Sequence, residues 1–240
     1  MKAFLLAAGL GTRLRPLTES VPKCLVPIRG RPLLDIWLGL CARYGVAEVL
    51  VNVHHLPECV ASFLARYGGP VRVRTVYEPV LLGSAGTVWS QRSFVAGERD
   101  FLVLYADNLT EVDLRRMVEF HRAHEASFTM GLVPTEVPRE KGIVVLDHAG
   151  LVVEFAEKPS QPRSNLSNAG VYVAGPDLFE VMAPQPPPYD FGFDVLPRLV
   201  GRMHGYPIEE YLRDIGTPES LRQAERDWPG APGTGGAVAG

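Results

Sequence analysis

Cysteine is scarce in this chain. Its three residues, Cys24, Cys41 and Cys59, are an odd number without metal-type spacing. That excludes a disulfide framework and predicts a reduced, cytoplasmic protein. Long apolar runs are lacking too. None approaches the ~20 residues that cross a bilayer, so no membrane partner is expected. The opening segment, Met1 to Ala8, runs straight into Gly9 and is too short for a secretory leader. No charge of one sign dominates either: 24 Lys and Arg against 27 Asp and Glu leave a formal charge of −3. A nucleic-acid partner is therefore not expected. There is no internal repeat, and no linker long enough to set off a second domain.

What the chain does have is length for a buried core and many turns. It has 240 residues, 46% of them hydrophobic, with 24 glycines and 21 prolines. Apolar spacing predicts strands over 3–8, 48–53, 71–77 and 101–106, alternating with helices over 32–44, 57–67, 84–94 and 112–125. This order predicts an α/β fold: a Rossmann-like, mainly parallel sheet with helices on both faces. In the second half, short segments at 128–133, 142–146, 151–155 and 171–173 predict added antiparallel strands, followed by a last helix over 218–227. One domain is expected over residues 1–228, with a Gly/Pro/Ala-rich disordered tail over 229–240. Self-association is left open.

The first strand ends in Gly9-Leu10-Gly11-Thr12-Arg13-Leu14. A turn at the carboxyl end of a first parallel strand is where α/β folds bind ligands, and glycines there let backbone N–H groups approach phosphate. Leu14 stands where a dinucleotide fingerprint has its last glycine, and no Gly-Lys-Ser/Thr follows as in a Walker loop. Instead the chain is basic, with Arg13, Arg15, Lys23, Arg29 and Arg31 against Glu19 alone. That excess beside a glycine loop suits a polyphosphate, although the glycines by themselves equally suit a tight strand–helix turn. Asp107 ends the apolar run Phe101 to Ala106. An acid there, on the same sheet edge as the glycine loop, is sited for Mg²⁺, with Asn108 assisting. The alternative role for Asp107, an N-cap of the following helix, is disfavoured because that helix is expected to start near Thr110.

The stretch LLAAGLGTRLRPLTESVPKCLVPIRGRPLL, residues 5–34, resembles the signature of the sugar-1-phosphate nucleotidyltransferases, the pyrophosphorylases that make nucleotide sugars. The resemblance continues through 78–87, Asp107, Glu157-Lys158-Pro159, Asn168-Ala169-Gly170 and Asp214 to Pro218. It implies a Mg²⁺-dependent reaction in which a sugar-1-phosphate oxygen attacks the α-phosphorus of an NTP and pyrophosphate leaves. Arg13 and Lys23 are implied as catalytic, and Asp107 and Asp214 as sharing the metal. A nucleotide site is implied at Leu6, Ala8, Gly9, Gly11, Thr12, Arg13, Lys23, Glu78, Gly83, Ser84 and Ala85. Gly142, Glu157, Lys158 and Asn168 are implied for the sugar phosphate.

The chain stops before any appended β-helix, so acyl transfer is not expected. Glu78 to Thr87 and the Glu-Lys-Pro spacing look most like guanylyltransferases for mannose- or heptose-1-phosphate, with GTP as donor. Thymidylyl or uridylyl transfer to glucose-1-phosphate or another hexose-1-phosphate is the alternative. A silent nucleotide-sugar sensor on the same fold is a rival of another class, disfavoured because Lys23 and both acids are present. A Rossmann oxidoreductase is disfavoured by Leu14. His121 and His124, three apart on a helix, lack a third ligand nearby. His54 and His55, adjacent on a strand, point to opposite faces.

Overall fold

The structure is a computed structural model and describes residues 1–124 and 126–230. The expected disorder over 231–240 lies outside the described residues. In chain order the strands are β1 (Lys2–Leu6), β2 (Pro27–Ile28), β3 (Arg31–Pro32), β4 (Glu48–Val53), β5 (Arg72–Tyr77) and β6 (Phe101–Tyr105). They continue with β7 (Asn108–Thr110), β8 (Phe128–Pro134), β9 (Gly142–Leu146), β10 (Val152–Glu157), β11 (Leu166–Ala174), β12 (Met203–Pro207) and β13 (Leu212–Asp214). The α-helices are α1 (Leu33–Arg43), α2 (Pro57–Leu64), α3 (Ser84–Ser90), α4 (Leu114–Ala123), α5 (Leu178–Val181) and α6 (Pro218–Asp227).

Strands β6, β1, β4 and β5 form a parallel core, and β11 joins β6 antiparallel. Beyond β11 lie antiparallel β8 and the β9–β10 pair, and β12 runs parallel to β8. The fold is thus the mixed α/β arrangement read from the sequence. Because side chains alternate along a strand, β1 sends Ala3 and Leu5 to one face and Phe4 to the other. The first face packs on Leu34, Trp37 and Leu38 of α1 and Met117 of α4. The second packs on Ala85 and Val88 of α3 and on Phe191 and Leu196. A third, smaller core joins Leu14, Val26, Ile28 and Leu33 to Leu109, Ile215, Ala224 and Trp228. It lies between the segment after the glycine loop and α6.

Several boundaries differ from expectation for local reasons. The helix after Asp107 begins only at Leu114, because Asp113 caps it by accepting the N–H groups of Arg115 and Arg116 at 2.9 and 3.0 Å. Residues 108–110 are instead strand β7, paired with β13. The predicted helix over 84–94 is α3 followed by a separate 3-10 turn, Arg92–Val95. The 171–173 strand is longer, because β11 continues through a register shift between Asn168 and Tyr172 and pairs with the end of β8 as well.

Candidate functional site

Two cavities adjoin at the carboxyl ends of β1 and β6 and share Tyr105 and Asp107. The smaller, about 300 Å³, is lined by Leu6, Ala8, Gly9, Lys23, Asn52, Glu78, Gly83 and Ser84, among others. The larger, about 620 Å³, includes Arg13, Lys141, Gly142, Glu157, Lys158, Asn168, Asp190 and Asp214. Of the residues expected at a nucleotide, Gly11, Thr12 and Ala85 do not line the smaller cavity, and Arg13 lines the larger one. Ala85 is buried, and its N–H donates to Tyr189 O at 3.0 Å.

At the seam of the cavities, buried Lys23 donates from Nζ to Asp107 Oδ2 at 2.6 Å and lies 4.0 Å from Asp214 Oδ1. Residues 107 and 214 meet because β7 and β13 pair antiparallel, with Asp214 opposite Asn108, and because Ile215 N–H donates to Asp107 O at 2.8 Å. Asp214 Oδ1 is buried without a hydrogen-bond partner. Burial alone would push the Asp214 carboxyl up. Lys141 and Lys23, with Arg13, outweigh that and hold it below the usual carboxylate range. The turn after β13 is built for this meeting. A Cβ on Gly216 would lie 2.8 Å from a terminal guanidinium nitrogen of Arg13. Thr217 then caps α6, accepting Ser220 N–H at 3.1 Å, and Pro218 occupies the first turn.

Among the described residues no group of three or more His, Cys, Asp or Glu side chains could hold a metal by themselves. Two carboxylates and an unpaired buried oxygen nevertheless fit a hard divalent cation that takes its other ligands from phosphate and water.

Glu78 is buried and braces its loop. Its Oε1 accepts from Asn52 Nδ2 at 2.9 Å and Thr87 Oγ1 at 2.5 Å, and its Oε2 accepts Leu82 N–H at 3.2 Å. Gly83 sits at φ 83°, and a Cβ there would meet Tyr189 O at 2.3 Å, so only glycine allows this approach. Ser84 Oγ donates to Asp190 Oδ2 at 2.7 Å and accepts Phe191 N–H at 2.9 Å.

Across the larger cavity, Glu157 Oε2 lies against Gly142 and Gly192, and burial pushes its carboxyl up. Lys158 takes a left-handed conformation, φ 48°, and its Nζ is 5.7 Å from the centre of the Phe193 ring. Asn168 donates to Tyr172 Oη at 2.7 Å and accepts Gly170 N–H at 2.9 Å.

The basic run does not converge as a whole. Arg29 donates to the carbonyls of Glu225 and Arg226 at the end of α6, and Arg31 pairs with Asp35. Arg15 is exposed and lines neither cavity. Only Arg13 and Lys23 of that run reach the cleft. The histidines also diverge: His54 Nδ1 meets Glu78 O at 2.6 Å, and His55 Nε2 meets Thr18 O at 2.7 Å.

Sequence reasoning missed Asn52, Lys141 and Asp190. Asn52 is the lone amide in the apolar strand β4, and Lys141 directly precedes Gly142. Asp190 follows three prolines and stands among aromatics. Those were the available signals.

The profile of the nucleotidyl transferase family (NTP_transferase) matches residues 2–229. A mannose-1-phosphate guanyltransferase of Schizosaccharomyces pombe is 32% identical over 226 residues, covering 91% of this chain and 62% of that protein. A UTP–glucose-1-phosphate uridylyltransferase of Synechocystis is 35% identical over 217 residues, covering 83% of this chain and 55% of that protein. The chain thus spans between half and two thirds of the length of these relatives. The crystal structure of HddC from Yersinia pseudotuberculosis complexed with GMP-PN superposes with a TM-score of 0.78 at 24% identity, over 93% of this chain and 97% of that one. That likeness concerns the fold.

Proposed function

Because the chain belongs to the nucleotidyl transferase family, we propose that it transfers a nucleoside monophosphate from an NTP to a sugar-1-phosphate, releasing pyrophosphate and forming a nucleotide sugar. The observation that carries this reading is the Lys23–Asp107–Asp214 cluster at the seam of two cavities. The smaller cavity would take the nucleotide and the larger the sugar phosphate, within one unit over residues 1–228.

In this reading the chain's own side chains position two anions and face the charge that builds on leaving pyrophosphate. Arg13 presents a forked donor to phosphate oxygens, and Lys23 supplies a point charge at the seam. Glu157, Lys158 and Asn168 line the sugar side, with the Gly142 backbone beside them. Asp107 and Asp214 would hold Mg²⁺, which when bound supplies charge neutralisation and polarises a phosphoryl oxygen.

GTP with mannose- or heptose-1-phosphate is the favoured pair. Glu78 Oε2 accepts one backbone N–H, leaving acceptor capacity toward the cavity it lines. Guanine offers two adjacent donors, N1–H and N2–H₂, whereas the N3–H of uracil or thymine is flanked by carbonyls that a carboxylate repels, and cytosine has no N3–H. The relative from Schizosaccharomyces pombe bears a guanyltransferase name. Uridylyl transfer to glucose-1-phosphate is the second reading, favoured by the 35% identity to the Synechocystis protein.

The test is pyrophosphate release with GTP, UTP, dTTP and CTP against mannose-, heptose- and glucose-1-phosphate. The highest kcat/KM is expected with GTP and a manno-configured sugar. A preference for UTP and glucose-1-phosphate would replace the guanylyl reading by the second one, and no release with any pair would remove both. Lys23→Ala should lower turnover by on the order of 10²–10³. Near-normal turnover would remove Lys23 from the reaction.

A further inference from the structure

Asp214 is held from a direction the family signature in the chain does not mark. Lys141 Nζ donates to its Oδ2 at 2.9 Å, while Lys23 Nζ stands 4.0 Å from its Oδ1. Lys141 follows the turn Pro138–Glu140 and immediately precedes β9, and its carbonyl accepts Lys158 N–H at 3.0 Å. That backbone bond sets two lysines side by side along the wall of the larger cavity.

Immediately beside Asp107 and Asp214 the charge count is uneven, with Arg13, Lys23 and Lys141 against two carboxylates, whereas Glu140, Glu157, Lys158, Asp190 and Arg213 balance the rest of the larger cavity more nearly. A divalent cation arriving alone meets carboxylates that are already over-neutralised. One that arrives with a phosphate brings the missing negative charge.

The two lysines differ in freedom. Lys23 is buried, with its side chain 11% exposed, whereas the Lys141 and Asp214 side chains are 34% and 32% exposed. A part-exposed ammonium on a flexible stem forms an ion pair that exchanges at little cost. Phosphate oxygens in the same cavity are a stronger partner for it than one carboxylate oxygen.

We propose that Lys141 is a positioning residue that holds Asp214 in the ligand-free protein and exchanges that carboxylate for a phosphate oxygen, so that a divalent cation and a sugar phosphate bind together rather than independently. This rests on the reading of Asp107 and Asp214 as the metal carboxylates. The coupling follows from electroneutrality. Phosphate draws Lys141 away and frees an Asp214 oxygen, and the cation in turn leaves Lys141 without its carboxylate and available to phosphate.

Mn²⁺ binding to the full chain, followed by electron paramagnetic resonance, tests this with Mn²⁺ alone, with inorganic phosphate and with mannose-1-phosphate. In the unaltered protein Mn²⁺ alone should bind weakly, and mannose-1-phosphate should tighten it on the order of tenfold. Inorganic phosphate should do the same to a lesser degree. Lys141→Met should bind Mn²⁺ alone about tenfold more tightly than the unaltered protein and lose most of the tightening by phosphate. Lys141→Arg, which keeps the charge, should retain the coupling. Simple damage to the fold would weaken metal binding, not tighten it. Unchanged or weaker Mn²⁺ affinity in Lys141→Met, or full coupling without Lys141, overturns the proposal while leaving the transferase reading intact. No Mn²⁺ binding by the unaltered protein under any of the three conditions overturns the metal reading and this inference together.

Discussion

Asn52 ties three parts of the smaller cavity together. Its Oδ1 accepts Ala7 N–H at 2.7 Å, and its Nδ2 donates to both Glu78 Oε1 and Thr87 Oγ1 at 2.9 Å. The two Nδ2 bonds are buried and the Ala7 one is partly so, so Asn52→Leu strands polar groups from water at about 1–3 kcal/mol each. A loss of at least about 2 kcal/mol in urea unfolding is expected, and an unchanged midpoint would show that the network relaxes. His121 gives the pH dependence. Its imidazole is buried against Thr129 Oγ1 at 2.9 Å, and burial lowers its pKa from 6.5 despite the pull of Asp100, with Arg122, Arg99 and His204 acting in the same direction as burial. The unfolded chain therefore takes up a proton that the folded one refuses. Stability is fully present above about pH 6.5 and is lost as pH falls from there toward the folded pKa. Melting temperatures between about pH 7.5 and 5.5 should fall in the unaltered protein and fall less in His121→Gln. Equal slopes would place the dependence elsewhere, including at His204, which is shifted the same way.

Among the elements, β13 and α6 show how a short motif organises a cleft. Three residues of β13 carry Asp214 to Asp107 by pairing with β7, and the chain then turns at Gly216 into a capped helix. Ser220 Oγ reaches back to Asp214 O, so the helix start and the strand end hold one another. Thr217→Ala should cost about 1 kcal/mol through loss of the cap. Thr217→Asn, which caps as well, should cost much less. Denaturant midpoints of the two variants decide it, and equal losses would mean that the Thr217 hydroxyl acts through something other than capping.

For the whole molecule, the third core matters more than its size suggests. Trp228 is 2% exposed and packs with Leu14, Val26, Ile28 and Ala224. The last described helix thus supports the segment that carries Arg13 and Lys23. Trp228→Ala should destabilise by about 3–5 kcal/mol, and it should also lower kcat/KM, because the segment between Leu14 and Ile28 loses its backing. Lost stability with untouched kinetics would separate this core from the site. Among the described residues no helix is long and apolar enough to cross a membrane. Cys24 and Cys41 are free, buried thiols pushed up to about 12 by burial, which leaves them inert.

Much of what neighbours along the chain encode was legible in the sequence, although the Asp113 cap that starts the helix at Leu114 was not. Strand β1 and its glycine turn, the apolar run that ends at Asp107 and the helix start at Pro218 all depend on residue type over a few positions. Their periodicity and backbone demands therefore sit in the local pattern. The tertiary structure alone decided which of these meet. Asp107 and Asp214 converge through a three-residue ladder whose register no local pattern encodes. Lys141 arrives by way of a turn between β8 and β9, and Asn52 by way of its place in the sheet. Of the five cations near the glycine loop, Arg29 and Arg31 were turned to α6 and α1. A cation's type states that it needs a partner, but only the packed chain states which partner is within reach.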